Sequence, residues 1–188
     1  MDKKTGEAFF AIGIHSMELL SQAIEAGADL NSFNRYGKTM LVAVIEEQAW
    51  EFEKIPPTVL DDCIKVLAFF PVEEKFPIKA MRLLLEKGVD VNQKNWLSGE
   101  TALHIAVKNH APELIKMLID KGADVNSKDF QGRTALDYCV SIDNIQVAEI
   151  LLGNGAWVDK NSDRYYEQEM SNKMKSVMDE MGSRMVIN

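Results

Sequence analysis

Two stretches of the chain, 99–126 and 132–159, follow one pattern at a fixed offset, with Thr101-Ala-Leu-His and Thr134-Ala-Leu-Asp standing 33 residues apart. A unit this short cannot bury its own apolar face, so it must stack on its neighbours, and the chain is constrained to a repeat array. The phrase endings GADLN (27–31), GVDVN (88–92), GADVN (122–126) and GAWVD (155–159) register four units against one another.

Each unit is expected to contain a Gly-bearing turn, a first helix, a tight connection, a second helix and a loop into the next turn. In the third unit Thr101 is placed to cap the first helix, and Leu103, Ile105, Ala106 and Val107 supply its packing groups. Pro112 stands where the second helix begins, Leu114, Ile115, Leu118 and Ile119 form its stripe, and Gly122 ends it in a left-handed conformation. The fourth unit repeats this with Thr134, Leu136, Tyr138 and Cys139, then Val147, Ala148, Ile150, Leu151 and Leu152, with Asp143 between the helices. The first unit, 5–31, lacks the Gly-x-Thr turn and reads as a terminal cap with its second helix over 17–26.

The second unit is irregular. Thr39 and Thr101 lie 62 residues apart, 29 more than the period; one of these is an extra residue before Gly99 and the other 28 fit an insertion near 48–75 between its two helices. Pro56, Pro57 and Pro71 bracket an apolar stripe at helical spacing over 58–70, which predicts an inserted helix. It packs on the array's flank or adds a second contact surface, and its Trp50, Phe52, Phe69 and Phe70 favour the first. After Asp159, Ser162 or Asp163 can cap a final helix to about Met181, whose Tyr166, Met170, Met174, Val177, Met178 and Met181 would cover the last repeat, with a loose tail from Gly182.

A net charge of −8, with 29 acidic against 21 basic residues, argues against a general nucleic-acid binder and for a basic protein surface as partner. Cys63 and Cys139 form no CxxC or Cys/His motif, so no metal and no cofactor are expected, and reduced thiols suit a cytoplasmic setting. The apolar run 8–14 after Lys3 and Lys4 is broken early by His15 and Glu18 and leads straight into the first repeat, unlike a cleaved signal. No stretch is long enough to cross a bilayer, and the acids of the last helix disfavour a membrane surface. Nor is there a phosphate-cradling Gly-rich loop or a nucleophile with an evident base, so an enzyme is not expected.

The segments GETALHIAVKNH, ELIKMLIDKGADVN, GRTALDYCV and VAEILLGNGAWVD closely resemble ankyrin repeats. Departures are Met40, Ala102 and Ala135 for the family's Pro, Val42 and Asp137 for its His, and His110 and Asp143 for its inter-helix Gly. The resemblance implies an all-α ankyrin-repeat solenoid: about four helix-turn-helix repeats over 1–160 with short finger turns, the helical insertion, and a C-terminal capping helix in 161–188. It also implies a non-enzymatic protein-binding role, with finger tips and exposed first-helix sides forming a concave surface. By position that surface comprises Arg35, Tyr36, Lys38, Glu46 and Glu47; Trp96, Leu97, Glu100, Lys108 and Asn109; and Phe130, Gln131, Arg133, Ser141 and Ile142.

Every complete finger carries an aromatic (Tyr36, Trp96, Phe130), the residue type that dominates interface energetics. The bland alternative is a ring folded onto its own or the adjacent finger. His104 is expected to be structural, bridging turns. The run Glu46, Glu47, Glu51 and Glu53 is either a solvated face or a site for a basic partner. The expected role is that of a monomeric inhibitor, immunity-type protein or adaptor. Alternatives are a translocated bacterial effector engaging a host protein without a cleaved signal, and a self-associating structural protein.

Overall fold

A computed structural model describes residues 2–53, 76–157 and 171–185, and side chains over 47–53, at 178 and over 181–185 fall outside that description. Among the described residues every regular element is an α-helix. Packing divides the chain into two compact units, 1–90 and 91–188.

The first unit contains α1 (Lys3–Gly13), α2 (Met17–Glu25), α3 (Met40–Glu53) and α4 (Phe76–Glu86). The helices pack in antiparallel pairs, α1 with α2 and α3 with α4, while α1 lies on α3 and α2 on α4. Stacking first helix on first and second on second is the arrangement that the apolar stripes require. Its core is Ala8, Ala11, Ile12 and Leu20 against Met40, Leu41, Val44, Ile45, Met81 and Leu84, all essentially inaccessible to water. The outer side is less polar than a terminal cap needs, since Phe10, Ile14 and Leu19 are exposed. The helix expected to end near Glu47 continues to Glu53, so the start of the anticipated insertion extends α3. The remainder, including the helix anticipated over 58–70 and Cys63, lies outside the described residues.

The second unit contains α5 (Ala102–Lys108), α6 (Pro112–Asp120), α7 (Ala135–Ser141), α8 (Ile145–Gly153) and α9 (Asn172–Met185). Pro112 occupies the first turn of α6, and beyond Lys121 the chain reverses through Gly122 at φ +85°, where the Ala123 N–H donates to the Leu118 carbonyl. The connections between paired helices pass through His15, His110 and Asp143 at φ 57°, 51° and 50°. These are the left-handed positions at which the family's Gly would be free of a Cβ clash.

The last helix covers α8, as its apolar stripe required, and Met174 is fully buried. Its start differs from the expectation. Ser171 caps it, accepting from the Met174 N–H and donating to the Asp143 carboxylate at 2.7 Å, and α9 runs through Gly182, where a loose tail was expected. Ser162 and Asp163, the expected caps, lie outside the described residues.

The recurring Asn of the GADVN phrases has a structural reason. Asn92 Oδ1 accepts from the Asp124 N–H and its Nδ2 donates to the Gly122 carbonyl; Asn126 makes the same two bonds to Trp157 and Gly155. In the first unit Asn31 accepts from the Asp90 N–H. The first loop has no preceding Asn, and there Thr5 Oγ1 accepts from the Asp29 N–H at 2.9 Å while donating to Asp2. Each repeat loop thus finds an acceptor for the same backbone N–H.

Candidate protein-binding surface

The fingers are short hairpins closed by two backbone bonds each, from the Asn34 N–H to the Lys38 carbonyl and the Gly37 N–H back to Asn34, Asn95 to Glu100 and Gly99 to Asn95, and Asp129 to Arg133 and Gly132 to Asp129. An Asn or Asp opens each one, and its side-chain oxygen accepts from N–H groups inside the turn: Tyr36 and Lys38, Leu97, and Gln131 and Arg133. This is the Asx-turn that these residues favour.

In the second unit two fingers lie side by side. The Phe130 N–H donates to the Ser98 carbonyl at 3.0 Å, and the Phe130 ring rests on Gly99. A Cβ at Gly99 would stand 2.4 Å from the Phe130 Cδ1, and Gly99 also adopts φ +73°, so no other residue fits without displacing the ring. Phe130 thus takes the bland alternative, seating one face on the adjacent finger, while remaining 67% exposed. Trp96 and Leu97, at the tip of the same adjoining finger, are 58% and 63% exposed. In the first unit Tyr36 is exposed with the Arg35 guanidinium 4.7 Å from its ring centre.

Below the tips the charged residues do something the sequence did not reveal. Tyr138 projects from α7 so that its hydroxyl lies 2.9 Å from both Glu100 Oε1 and Asp129 Oδ2, one carboxylate from each finger. Lys108 Nζ donates to Glu100 Oε1 at 2.9 Å, and Arg133 Nε donates to Asp129 Oδ2 at 3.0 Å. The Arg133 guanidinium and the Lys108 ammonium also lie 4.5 and 5.3 Å from the Tyr138 ring centre. Two anions and two cations are thus gathered around one phenol, which ties the paired fingers to α7.

Burial works to raise both carboxyls. The bonds from Lys108, Ser98 and Tyr138 to Glu100, and from Arg133 and Tyr138 to Asp129, outweigh it, leaving both below their ordinary values and ionised. Burial, with the two carboxylates beside it, pushes the Tyr138 hydroxyl up, so it remains protonated as a donor. Beneath them His104 accepts from the Thr101 N–H through Nδ1 and reaches the Arg133 carbonyl through Nε2 at 3.2 Å. Those contacts are met by the neutral Nε2–H tautomer, and burial holds its pKa below the ordinary value. The ring is structural, bridging successive turns as expected.

The anticipated contact residues therefore separate. Trp96, Leu97, Phe130 and Gln131 are exposed at the tips of the second unit, as are Arg35 and Tyr36 in the first. Glu100 is not an exposed contact: its side chain is 9% accessible and faces Tyr138. Lys108 and Arg133 keep about half their surface while serving the same network. In the first unit Lys38 pairs with Glu46, and Glu47 falls outside the described side chains. Asn109 and Ile142 cap α5 and α7 and are half-buried, Asn109 with a buried Nδ2 that lacks a partner. Ser141 donates to the Tyr138 carbonyl. Sequence reasoning missed Tyr138 and Asp129 as members of the finger base. A tyrosine at a core helix position demands a partner for its hydroxyl, and that was the available signal.

Among the described residues no group of three His, Cys, Asp or Glu is arranged to hold a metal, and no helix is long and apolar enough to cross a membrane.

A family model described as ankyrin repeats (3 copies) matches residues 72–163. The chain is 27% identical over 162 residues to an ankyrin repeat protein of Acanthamoeba polyphaga mimivirus, covering 79% of this chain and 21% of that protein. It is 26% identical over 120 residues to an ankyrin repeat protein of fowlpox virus, covering 62% of this chain and 27% of that one. The chain thus spans about a fifth to a quarter of the length of these curated relatives. With the helix pairs, closed fingers and loop Asn bonds already described, these matches show ankyrin repeats over residues 72–163, repeats that generally serve as protein–protein interaction modules.

Proposed function

We propose that this chain binds a partner protein through its finger tips, acting by occupancy alone as an inhibitor, immunity-type protein or adaptor. The observation that carries the reading is the exposure of Trp96, Leu97 and Phe130 on two fingers whose backbones are bonded to each other. Large apolar groups held out on a fixed scaffold lose little entropy on contact, which is what an interface anchor requires. The residues beneath them are occupied with holding the fingers in place, so the division of labour runs from rigid base to sticky tip.

The test is capture from a lysate of the organism that makes the protein. The wild-type chain and a Tyr36→Ala/Trp96→Ala/Phe130→Ala variant serve as parallel baits, with the melting temperature of each measured alongside. A protein retained by the wild type alone, with melting nearly unchanged, supports the reading. If both baits retain the same protein equally, the tips are not the site.

A further inference from the structure

The net charge of −8 suggests a basic partner, yet the excess does not stand at the fingers of the second unit. Over 92–137 six Lys and Arg are matched by six Asp and Glu, so the excess lies in the rest of the chain. Beside the tips the charges are engaged within the fold. Lys108 pairs with Glu100 at 2.9 Å and Arg133 with Asp129 at 3.0 Å. Asp137 accepts from the N–H and hydroxyl of Thr134, and Asp124 from the Asn126 N–H. Lys94 Nζ donates to the Lys128 carbonyl at 2.7 Å. The turns themselves, 96–99 and 130–132, include no charged residue, and the Ser98 hydroxyl donates to the Glu100 carboxylate at 2.8 Å. The first unit differs, with Arg35 in its turn.

We infer that the paired fingers of the second unit take an uncharged, apolar segment of a partner protein, seated on Trp96, Leu97 and Phe130. This rests on the reading of the fingers as a protein-binding surface and specifies the partner's chemistry. A charged side chain brought onto these three groups would give up its water and find the nearby counter-charges already engaged. An apolar side chain gives up nothing there and gains burial against the rings. The floor it meets is preformed, since the Phe130 ring rests on Gly99 and its N–H is bonded to the Ser98 carbonyl. The acidic excess elsewhere reaches the tips only through solvent, where screening acts over about 8 Å at physiological ionic strength. A lipid surface is the other apolar medium that exposed rings can enter. Attachment to anionic headgroups draws on a basic surround, whereas the charges here balance locally and are acidic overall.

The experiment is selection from a library of random peptides by the full chain, repeated with Trp96→Ala/Leu97→Ala. Melting temperatures verify that each variant is folded. The best peptides are then titrated at low and high salt against the wild type, Gln131→Lys and Gln131→Glu, which set either charge next to Phe130. Vesicles of phosphatidylcholine, with and without phosphatidylserine, are tested in parallel. The expected result is enrichment of apolar peptides without Asp, Glu, Lys or Arg. Their affinity should change less than about twofold with salt, differ less than about twofold between the two Gln131 variants, and fall about tenfold with Trp96→Ala/Leu97→Ala. Enrichment of acidic or basic peptides that weaken with salt and separate Gln131→Lys from Gln131→Glu overturns the uncharged assignment. If that binding is lost with Trp96→Ala/Leu97→Ala, the finger reading stands. Enrichment indifferent to Trp96→Ala/Leu97→Ala, or no enrichment, overturns both. Vesicle capture abolished by Trp96→Ala/Leu97→Ala, in place of peptide enrichment, overturns the assignment to a protein.

Discussion

Lys38 and Glu46 in the first unit hold the positions, relative to the finger Thr, that Glu100 and Lys108 hold in the second, with the charges exchanged. Both pairs close across the same span from finger base to first helix, so the fold requires a pair there and is indifferent to its polarity. Their surroundings differ. Lys38 and Glu46 are each about one-third exposed, whereas Glu100 is covered by Tyr138, which also reaches Asp129 on the next finger. The same two charges are a surface ornament in one unit and part of a load path between fingers in the other.

The comparison has a common background in the apolar core, and breaking that background should cost most. Leu20→Ala in the first unit and Leu118→Ala in the second each empty a fully buried site and should lose about 2 to 5 kcal/mol in denaturant unfolding. Next comes the contrast itself. Tyr138→Phe removes the single O–H that the two buried carboxylates share and should cost about 1 to 3 kcal/mol. Glu46→Gln should cost under about 1 kcal/mol, because the Lys38 pair is screened by water. Equal losses for the two variants would erase the distinction.

Acid should sharpen it. Glu100 and Asp129 have depressed folded pKa values, so their contribution is complete above the ordinary values of 4.5 and 3.8 and is lost as pH falls through the folded ones. His104 is buried neutral with its pKa also lowered. Its unfolded form takes up a proton near 6.5 before the folded form does, which again destabilises as pH falls. Melting followed from neutral pH downward should therefore decline first below about 6.5 and then more steeply in the carboxylate range, and Tyr138→Phe with His104→Gln should flatten the curve.

A smaller effect of opposite sign is expected at the inter-helix connection. His110→Gly relieves a left-handed non-Gly residue and should gain up to about 1 kcal/mol. Asp143→Gly should behave alike, because each substitution forfeits one exposed side-chain bond, with Asn144 at His110 and with Ser171 at Asp143. Cys139 should not react with alkylating reagents in the folded chain, since burial removes access and pushes its thiol up to about 12.

The helix pairs were legible because apolar spacing and local breakers such as Pro112 and Gly122 encode them within a few residues. The exposed tips were legible for the same reason, the finger being a short turn defined by its own Asn or Asp and Gly. Tyr138, Glu100 and Asp129 were not, because their meeting depends on how one repeat lies on the next and no local pattern records it. Nor did spacing place the beginning of α9 at Ser171, and the upstream part of the expected helix lies outside the described residues. Tyr166 and Met170 continue the apolar spacing upstream, but Ser171 is the residue whose hydroxyl is placed to accept from the first turn.

The most direct test of the account separates the tips from their base in one experiment: partner affinity and melting temperature measured together for Trp96→Ala/Leu97→Ala and for Tyr138→Phe. The account predicts that the tip variant loses affinity at an unchanged melting temperature, while Tyr138→Phe melts earlier. A tip variant that melts earlier yet binds as the wild type does would make the exposed side chains structural and contradict it.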